Sequence, residues 1–420
     1  MSNAVEIRSF PYPFKAGFAF CNDLDGFSSF GEMKALHDVL NGARETVCGP
    51  GLGMEVGNSF HFYSVHPEQD DTFAYFDTLG GRLSSYAAPI REGIAAGLLD
   101  TMHTWGNYSQ RGGFFREQAE KALEELEKRN LNVPVWTNHG DIHNFQNVGR
   151  KDSLGDIPVH RSARGNASAV LEYHFDLARR AGVRYVWIKE LTEIVGQERS
   201  LEPADWLESG ISLGKGLARN LVRMTGGDRG EHPVQLNNRL IDLQTFRDDS
   251  VRYQLLRYGR FDRDGSDHLP GLLTPKMFKR LVDSGGAMLF YTHLAKGRPS
   301  PDVPFSKESY EALVRLARWN RDGDIWVTTP SRLCRYAELR QRLKLTADVG
   351  ATPIKITGHF APVGDLDDPD LSGLTIYLDS ESDVQFKVNG KVIPLVKNGP
   401  DFTSKISYSV PLKPLEYCWE

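Results

Sequence analysis

The sequence is poor in cysteine, and the cysteines that it has are far apart. The chain of 420 residues contains four of them, and no two form a Cys-x-x-Cys pair. This spacing argues against a thiolate zinc site and against a disulfide framework. We therefore expect reduced, buried thiols at all four positions, which are Cys21, Cys48, Cys334 and Cys418.

The sequence also lacks a basic excess and any long apolar run. Its formal net charge is −5, with 25% charged and 40% hydrophobic residues, which argues against nucleic acid as a partner. No segment reaches the ~18 uninterrupted apolar residues of a membrane span, and the opening "MSNAVEIRSFPYPFK" has no apolar signal-peptide core. The composition predicts a globular protein without a membrane span, and we expect it in the cytoplasm.

Two widespread catalytic motifs are missing. The chain has no Gly-x-Ser-x-Gly nucleophile elbow. The glycine-rich stretch "CGPGLGMEVG" at residues 48–57 lacks the Lys-Ser/Thr pair of a phosphate-binding loop and the spacing of a dinucleotide fingerprint. These absences argue against a serine esterase and against a nucleotide-binding domain.

What the sequence does contain is an alternation of short β-like runs and amphipathic stretches, which predicts βα units around a parallel sheet or barrel. The clearest helix is predicted at about residues 114–129, where apolar residues recur at helical spacing. Several apolar runs end at a His, a carboxylate or an amide. Because the carboxyl ends of parallel strands open onto one face, we expect these polar ends to meet there.

Two regions depart from this alternation. Residues 199–270 are rich in Arg, Asp and Gly, and we expect loops and helices that extend the rim of the barrel. Residues 350–420 show short alternating segments with a hairpin signal at Asn389-Gly390. We therefore divide the chain into an α/β domain at 1–345 and a small all-β, sandwich-like domain at 346–420.

The run "FAFCNDLDGF" at residues 18–27 ends in two carboxylates, Asp23 and Asp25, followed by Gly26. One interpretation is a strand-to-loop turn, in which an Asx side chain caps the backbone and Gly26 supplies a positive φ. The other is chemical: one carboxylate binds a divalent metal, and the other stays free as a general base.

Two stretches compete to complete such a metal site. "DTMHTWGNY" offers His103 and, four residues on, Asn107, whereas "WTNHGDIHNFQN" offers His139 and His143 at the His-x3-His spacing. Imidazoles four residues apart can bind one ion, and neutral imidazole suits zinc, with cobalt, nickel and manganese as alternatives. A third stretch, "MLFYTHLAKG", places His293 after an apolar run, either as a buried hydrogen-bonding histidine or as a general acid.

These motifs together resemble the polysaccharide deacetylase (NodB-like) family of metal-dependent carbohydrate esterases. The resemblance covers about residues 14–340 and implies a distorted (β/α)7 barrel. The C-terminal all-β domain is not part of the resemblance, although appended β-sandwich modules are common among carbohydrate enzymes. The resemblance implies that Asp23 is the catalytic base and Asp25 a metal ligand. The family's last motif, an apolar strand that ends in His, matches "AMLFYTHL" and implies that His293 is the acid.

The family's second motif, His-Ser/Thr-x-x-His, supplies the other two metal ligands, and here the sequence departs from it. Order along the chain favours "HTWGN", in which Asn107 occupies the second His position, whereas spacing favours "HGDIH". Either Asn107 is itself a ligand, or His139 or His143 replaces it. We favour a site of Asp25 and His103 together with His139 or His143.

The implied activity is hydrolysis of an N-acetyl or similar acyl group on an amino sugar, by a metal-bound water. Four residues near strand ends are candidates for contact with the sugar, although the aromatic ones are equally typical of a core: Trp105, Asn107, Trp136 and Tyr291. The alternative is a non-catalytic barrel that binds carbohydrate or acts as a scaffold, in which Asn107 marks the loss of the metal.

Overall fold

The three-dimensional structure is a computed structural model. It describes residues 5–24, 26–64, 73–78, 80–107, 116–137, 174–203, 205, 238–246, 248–259, 263–379 and 381–419, although at 64, 107 and 188–190 it describes the backbone alone. Three of the predicted metal ligands lie outside these residues: Asp25, His139 and His143.

The α/β part is built on a curled parallel sheet that forms a half-barrel. Nine of its strands lie side by side and pair in parallel. Two further strands pair with members of this row without belonging to it: β8 (Gly106–Asn107) with β5 (Ser59–Ser64), and β11 (Ile241–Thr245) with β12 (Val251–Tyr258). Across the sheet the nine strands are β14 (Ile325–Thr328), β2 (Ala16–Asn22), β13 (Ala287–Thr292), β12 (Val251–Tyr258), β10 (Tyr185–Thr192), β9 (Val135–Thr137), β7 (Thr101–Met102), β5 (Ser59–Ser64) and β6 (Ala74–Phe76).

Helices connect these strands, as the βα alternation predicts. The helix expected at about 114–129 is confirmed as α3. Local signals set the ends of the helix before β13. The Thr274 side chain caps its N-terminus by accepting a hydrogen bond from Met277 N, and Gly285 ends it with a φ of 59°. The described helices are α1 (Phe30–Leu40), α2 (Ala87–Ala96), α3 (Arg116–Lys128), α4 (Phe175–Arg180), α5 (Leu269–Leu272), α6 (Pro275–Ser284), α7 (Lys307–Arg321) and α8 (Pro330–Arg342).

Strand β2 is buried on both faces, as expected of a central strand in a parallel sheet. Its Phe18 and Phe20 pack in a cluster with residues of the surrounding helices. Ala19 and Cys21 pack in a second cluster, which lies on the inner side of the curled sheet. Since side chains alternate along a strand, Asp23 continues the inward series at the carboxyl end of β2.

The expectation of rim loops and helices at 199–270 is wrong for the part that the structure describes at 241–258. Residues 241–245 form β11, and residues 251–258 form β12, which lies between β10 and β13 within the sheet. The sequence "VRYQLLRY" misleads because two arginines interrupt its apolar pattern. Both Arg252 and Arg257 are nevertheless buried, since each has a carboxylate partner elsewhere in the chain.

The C-terminal region contains two four-stranded sheets whose side chains share one apolar cluster. The predicted hairpin is confirmed: Asn389 and Gly390 connect two strands with φ values of 47° and 79°, the positive values that a type I′ turn requires. One strand comes from the N-terminus, β1 (Val5–Ile7), which pairs with β17. The other strands are β15 (Leu343–Asp348), β16 (Ile354–Phe360), β17 (Thr375–Leu378), β18 (Val384–Val388), β19 (Lys391–Ile393), β20 (Val396–Lys397) and β21 (Ile406–Ser409).

A short two-stranded ribbon, β3 (Glu45–Thr46) and β4 (Gly49–Pro50), completes the described strands. Within the described ranges, none of the helices combines the length and the apolarity needed to cross a lipid bilayer. The four cysteines are free thiols, and Cys21 and Cys334 are buried as expected, whereas Cys48 and Cys418 are half-buried.

Candidate functional site

The carboxyl end of β2 places Asp23 at the centre of a buried polar cluster. The Asp23 side chain is fully buried. The hydroxyl of Ser59, at the start of β5, donates to its Oδ1 over 2.9 Å. Nη1 of Arg257, near the end of β12, donates to its Oδ2 over 3.4 Å. Nδ1 of His103, which follows β7, lies 3.3 Å from Oδ1. The carboxyl ends of β2, β7 and β12 therefore meet at one carboxylate, as the polar strand ends predict, and the first residue of β5 joins them.

Arg257 is held in place from several sides. Its side chain is fully buried, and Nη2 donates to the Thr137 hydroxyl at the end of β9 over 2.6 Å. The guanidinium carbon lies 4.1 Å from the ring centroid of Trp187 and 5.0 Å from that of Tyr291. These cation–π contacts stabilise a guanidinium that has lost its hydration. Arg257 is therefore a fixed positive charge beside Asp23.

This charge controls the ionisation of Asp23. Burial by itself would raise the pKa of the carboxyl, but the Arg257 cation, with smaller contributions from His103 and His293, holds the pKa well below its usual range. Asp23 is therefore an anion throughout the physiological pH range. The neighbouring thiol of Cys21 behaves oppositely, since burial raises its pKa to about 12. Cys21 thus stays protonated and is a poor nucleophile.

A second polar pair faces Asp23 from the end of β13. Nδ1 of His293 lies 2.8 Å from Oδ2 of Asp264, and the backbone N–H of His293 donates to the Asp264 carbonyl over 2.7 Å. The other ring nitrogen, Nε2, lies 4.0 Å from Oδ2 of Asp23, which is too far for a hydrogen bond. Asp264 therefore fixes the orientation of the imidazole and leaves Nε2 on the side of Asp23.

In a reaction for which His293 supplied the proton, replacing Asp264 with asparagine would be expected to reduce kcat by about 10- to 100-fold, less than the ~10²–10⁴-fold that a whole acid–base group contributes. The amide keeps the shape of the side chain but removes the charge that favours an imidazolium at His293. The pH profile of kcat/KM should also move, which a purely structural loss would not produce. Asp267→Asn is the matched control, because the Asp267 side chain is 55% exposed and pairs with the exposed His268. An Asp264→Asn protein with an unaltered profile would contradict the positioning role.

The turn that carries His103 has an unusual backbone. Thr104, the next residue, adopts a φ of 58°, a left-handed conformation that is rare for a β-branched side chain. Its hydroxyl donates to the Gly106 carbonyl over 3.1 Å. Such a conformation costs about 1–3 kcal/mol and persists where the surroundings impose it. The strain lies next to the imidazole that the sequence predicts as a metal ligand.

The residues near His103 are compatible with a metal ion but do not complete its ligand set. Within the described ranges, no three His, Cys, Asp or Glu side chains lie close enough together to hold a metal ion. The same ranges do bring the imidazoles of His61 and His103 together, with ring centroids 4.7 Å apart. Two imidazoles that share one zinc at a Zn–N distance of about 2.1 Å have centroids about 5 Å apart. The spacing of these two rings therefore fits a shared zinc, while the described residues supply no third ligand.

The aromatic residues predicted to contact a sugar are buried. Trp105 and Trp136 are 0% exposed and pack against each other, with ring centroids 5.4 Å apart. Tyr291 is 2% exposed and contacts Arg257 and His293. None of these three rings presents an open face, so each packs within the core in this structure. The Asn107 side chain lies outside the described part of the chain.

Sequence reasoning missed most of the partners of Asp23 and His293. A charged residue inside an apolar run, as at Arg257 in "VRYQLLRY", is the one signal that would have indicated a buried ion pair. Ser59 and His61 alternate with phenylalanine in "SFHFYS", and that period-2 pattern marks them as one face of a strand. The Asp-Gly pair at Asp264 resembles an ordinary turn, and nothing in the sequence links it to His293.

Comparison with known proteins does not identify the chain: no family model matches it, and no curated protein matches it either. The interpretation of the site therefore depends on its geometry and on the motifs quoted above.

Proposed function

We propose that the protein is a metal-dependent hydrolase that removes an N-acyl group, such as acetyl, from an amino sugar or a glycan. The proposal depends on one observation: two groups suited to proton transfer face each other in the site. Asp23 is held ionised by Arg257, and Nε2 of His293, oriented by Asp264, lies 4.0 Å from it. A base that is always charged and an imidazole backed by a carboxylate are the proton acceptor and the proton donor of an amide hydrolysis.

The roles follow from these contacts. Asp23 accepts the proton of the attacking water, and the carboxylate stays oriented because Ser59 and Arg257 hold its two oxygens. His293, protonated beside Asp264, gives its Nε2 proton to the departing amine. A divalent ion bound at His103 would lower the pKa of the attacking water and stabilise the oxyanion. A water so acidified needs only a weak base, which suits a carboxylate of low pKa.

The same motifs support a finer description of the fold. A distorted (β/α)7 barrel of the polysaccharide deacetylase type, with a sandwich-like C-terminal module, is our proposal for the architecture. It is supported by the curled parallel sheet and by the order of the motifs at its carboxyl end, with Asp23 first and His293 last. Asp25, His139 and His143 remain predicted ligands, since they lie outside the described residues.

Removal of the metal is expected to abolish hydrolysis. Purified protein would be stripped with a chelator and reloaded separately with zinc, cobalt, nickel and manganese, then incubated with N-acetylated hexosamine oligomers. The expected result is no acetate release from the stripped protein and recovery with at least one of the four ions. If the stripped and the reloaded proteins bind the oligomers with equal affinity and none of them releases acetate, the protein is instead the carbohydrate-binding scaffold.

A further inference from the structure

The half-barrel brings a histidine that the motif comparison does not include next to the predicted metal ligand. His61 lies on β5 two residues after Ser59, whose hydroxyl reaches Asp23, so both side chains point to the same face of the strand. The intervening Phe60 and the following Phe62 pack in the apolar cluster on the opposite face. The backbone N–H of His103 donates to the Phe60 carbonyl over 2.9 Å. This register sets the two imidazoles side by side.

The mutual geometry of the two rings is compatible with two ligands to one ion. Their centroids lie 4.7 Å apart with an interplanar angle of 82°, and their residues are 8% and 4% exposed. Nδ1 of His103 faces Asp23, which leaves Nε2 on the far side of the ring. A histidine that ligates zinc commonly directs its other nitrogen to a carboxylate, which fixes the ring and raises its basicity. Asp23 occupies that position at His103.

We infer that His61 is a metal ligand that binds the same ion as His103. His61 thereby supplies the second imidazole, which the motif lacks at Asn107. The ion is a divalent cation that accepts nitrogen ligands, with zinc the best fit to neutral imidazole. The inference rests on the proposed function in one respect: the ion that His61 would bind is the ion that would activate the attacking water. Its own support is the placement of His61 by β5 beside His103 and the contact of His103 with Asp23.

The first test is zinc binding by His61→Gln, measured as metal content and as affinity in competition with a chromophoric chelator. We expect the wild type to bind one zinc per chain and the variant to bind it at least about 100-fold more weakly. His37→Gln is the matched control. His37 is also fully buried, and its Nε2 lies 2.7 Å from Asn58 Nδ2, but it is not part of the site. The control should retain wild-type affinity.

The second test converts the ligand instead of removing it. In a cobalt-loaded His61→Cys protein, a thiolate at position 61 that coordinates the ion should give an intense near-ultraviolet charge-transfer band, which cobalt-loaded His37→Cys should lack. This readout needs only folded protein, as judged by circular dichroism, and it decides the question if the glutamine variant does not fold.

The outcomes separate the inference from the proposed function. Unchanged zinc affinity in His61→Gln, or no new band in folded His61→Cys, overturns the inference while metal-dependent hydrolysis stands. Zinc bound through His61 by a protein that hydrolyses no N-acyl sugar overturns the proposed function alone. A wild type that binds no zinc, cobalt, nickel or manganese overturns both.

Discussion

Asp23→Asn, saturated with zinc, is expected to hydrolyse an N-acyl amino sugar about 10²–10⁴-fold more slowly than the wild type. The amide occupies the same space and can still accept the hydrogen bond from Ser59, but it cannot take a proton from water. The loss should appear in the single-turnover rate constant, which product release does not affect. Saturating zinc is needed because the amide also weakens the support of His103, which costs about 10–100-fold in metal affinity.

The same substitution leaves the Arg257 cation buried without its counter-ion. Breaking a buried ion pair by removing one partner costs about 3–5 kcal/mol, and we expect a loss of this size in the free energy of unfolding. Asp23→Asn combined with Arg257→Gln should recover part of that stability but none of the activity. A single variant that keeps more than about a tenth of the wild-type rate would contradict the assignment of Asp23 as the base, since proton transfer should contribute far more.

Glu338→Gln is expected to destabilise the protein by about 3–5 kcal/mol, for a similar reason at the opposite end of the half-barrel. The Glu338 carboxylate is fully buried and accepts two hydrogen bonds from Arg184, each of 2.7 Å, one from the Tyr185 hydroxyl over 2.6 Å and one from Arg342 over 2.6 Å. Both arginines also reach the segment before β17, Arg184 through Asp367 and Arg342 through Asp367 and Asp368. The neutral amide therefore weakens the attachment of the C-terminal region to the sheet.

The measurement is denaturant unfolding of wild type and Glu338→Gln, followed by a probe in each region. Asp367→Ala is the matched control: its carboxylate pairs with the same Arg184, but it is 86% exposed, so its loss should cost at most about 1 kcal/mol. A cost for Glu338→Gln no larger than for this control would show that the buried network contributes little.

The pH dependence of the unfolding free energy tests separately whether the ionised Glu338 carboxylate stabilises the folded state. Burial alone would raise the pKa of Glu338, but the hydrogen bonds and charge of Arg184, with Tyr185 and Arg342, lower it overall. A depressed folded-state pKa contributes stability that is present above the unfolded value, about 4.3, and is lost as the pH falls through the folded value. The difference between wild type and Glu338→Gln should therefore be constant near neutral pH and shrink in acid.

Local features of this fold are readable from the sequence because local physics decides them. Helical spacing marks α3, the Asn389-Gly390 pair marks a turn that needs positive φ, and the apolar run before Asp23 marks a buried strand. The convergence of polar strand ends is also predictable, since parallel strands share one carboxyl edge. These signals suffice to locate the candidate site at Asp23 and His293.

The partners within the site are not readable in this way, because they depend on pairing between distant segments. Arg257 is 234 residues from Asp23 in the chain, and nothing near it in sequence explains why a guanidinium is buried there. His61 belongs to a strand of alternating polar and apolar residues. Its proximity to His103 is apparent only once β5 is paired with β7. The pairing of β1 with β17 is likewise long-range, so composition alone assigns the N-terminal strand to no particular sheet.

The proposed function is tested most directly by acetate release from an N-acetylated hexosamine oligomer, with purified protein that carries one zinc per chain. Zinc-loaded wild type is expected to release acetate and free amine in equal amounts, and equally loaded Asp23→Asn is expected to release both about 10²–10⁴-fold more slowly. Acetate release at the same rate from both proteins, or from neither, would contradict the proposed function.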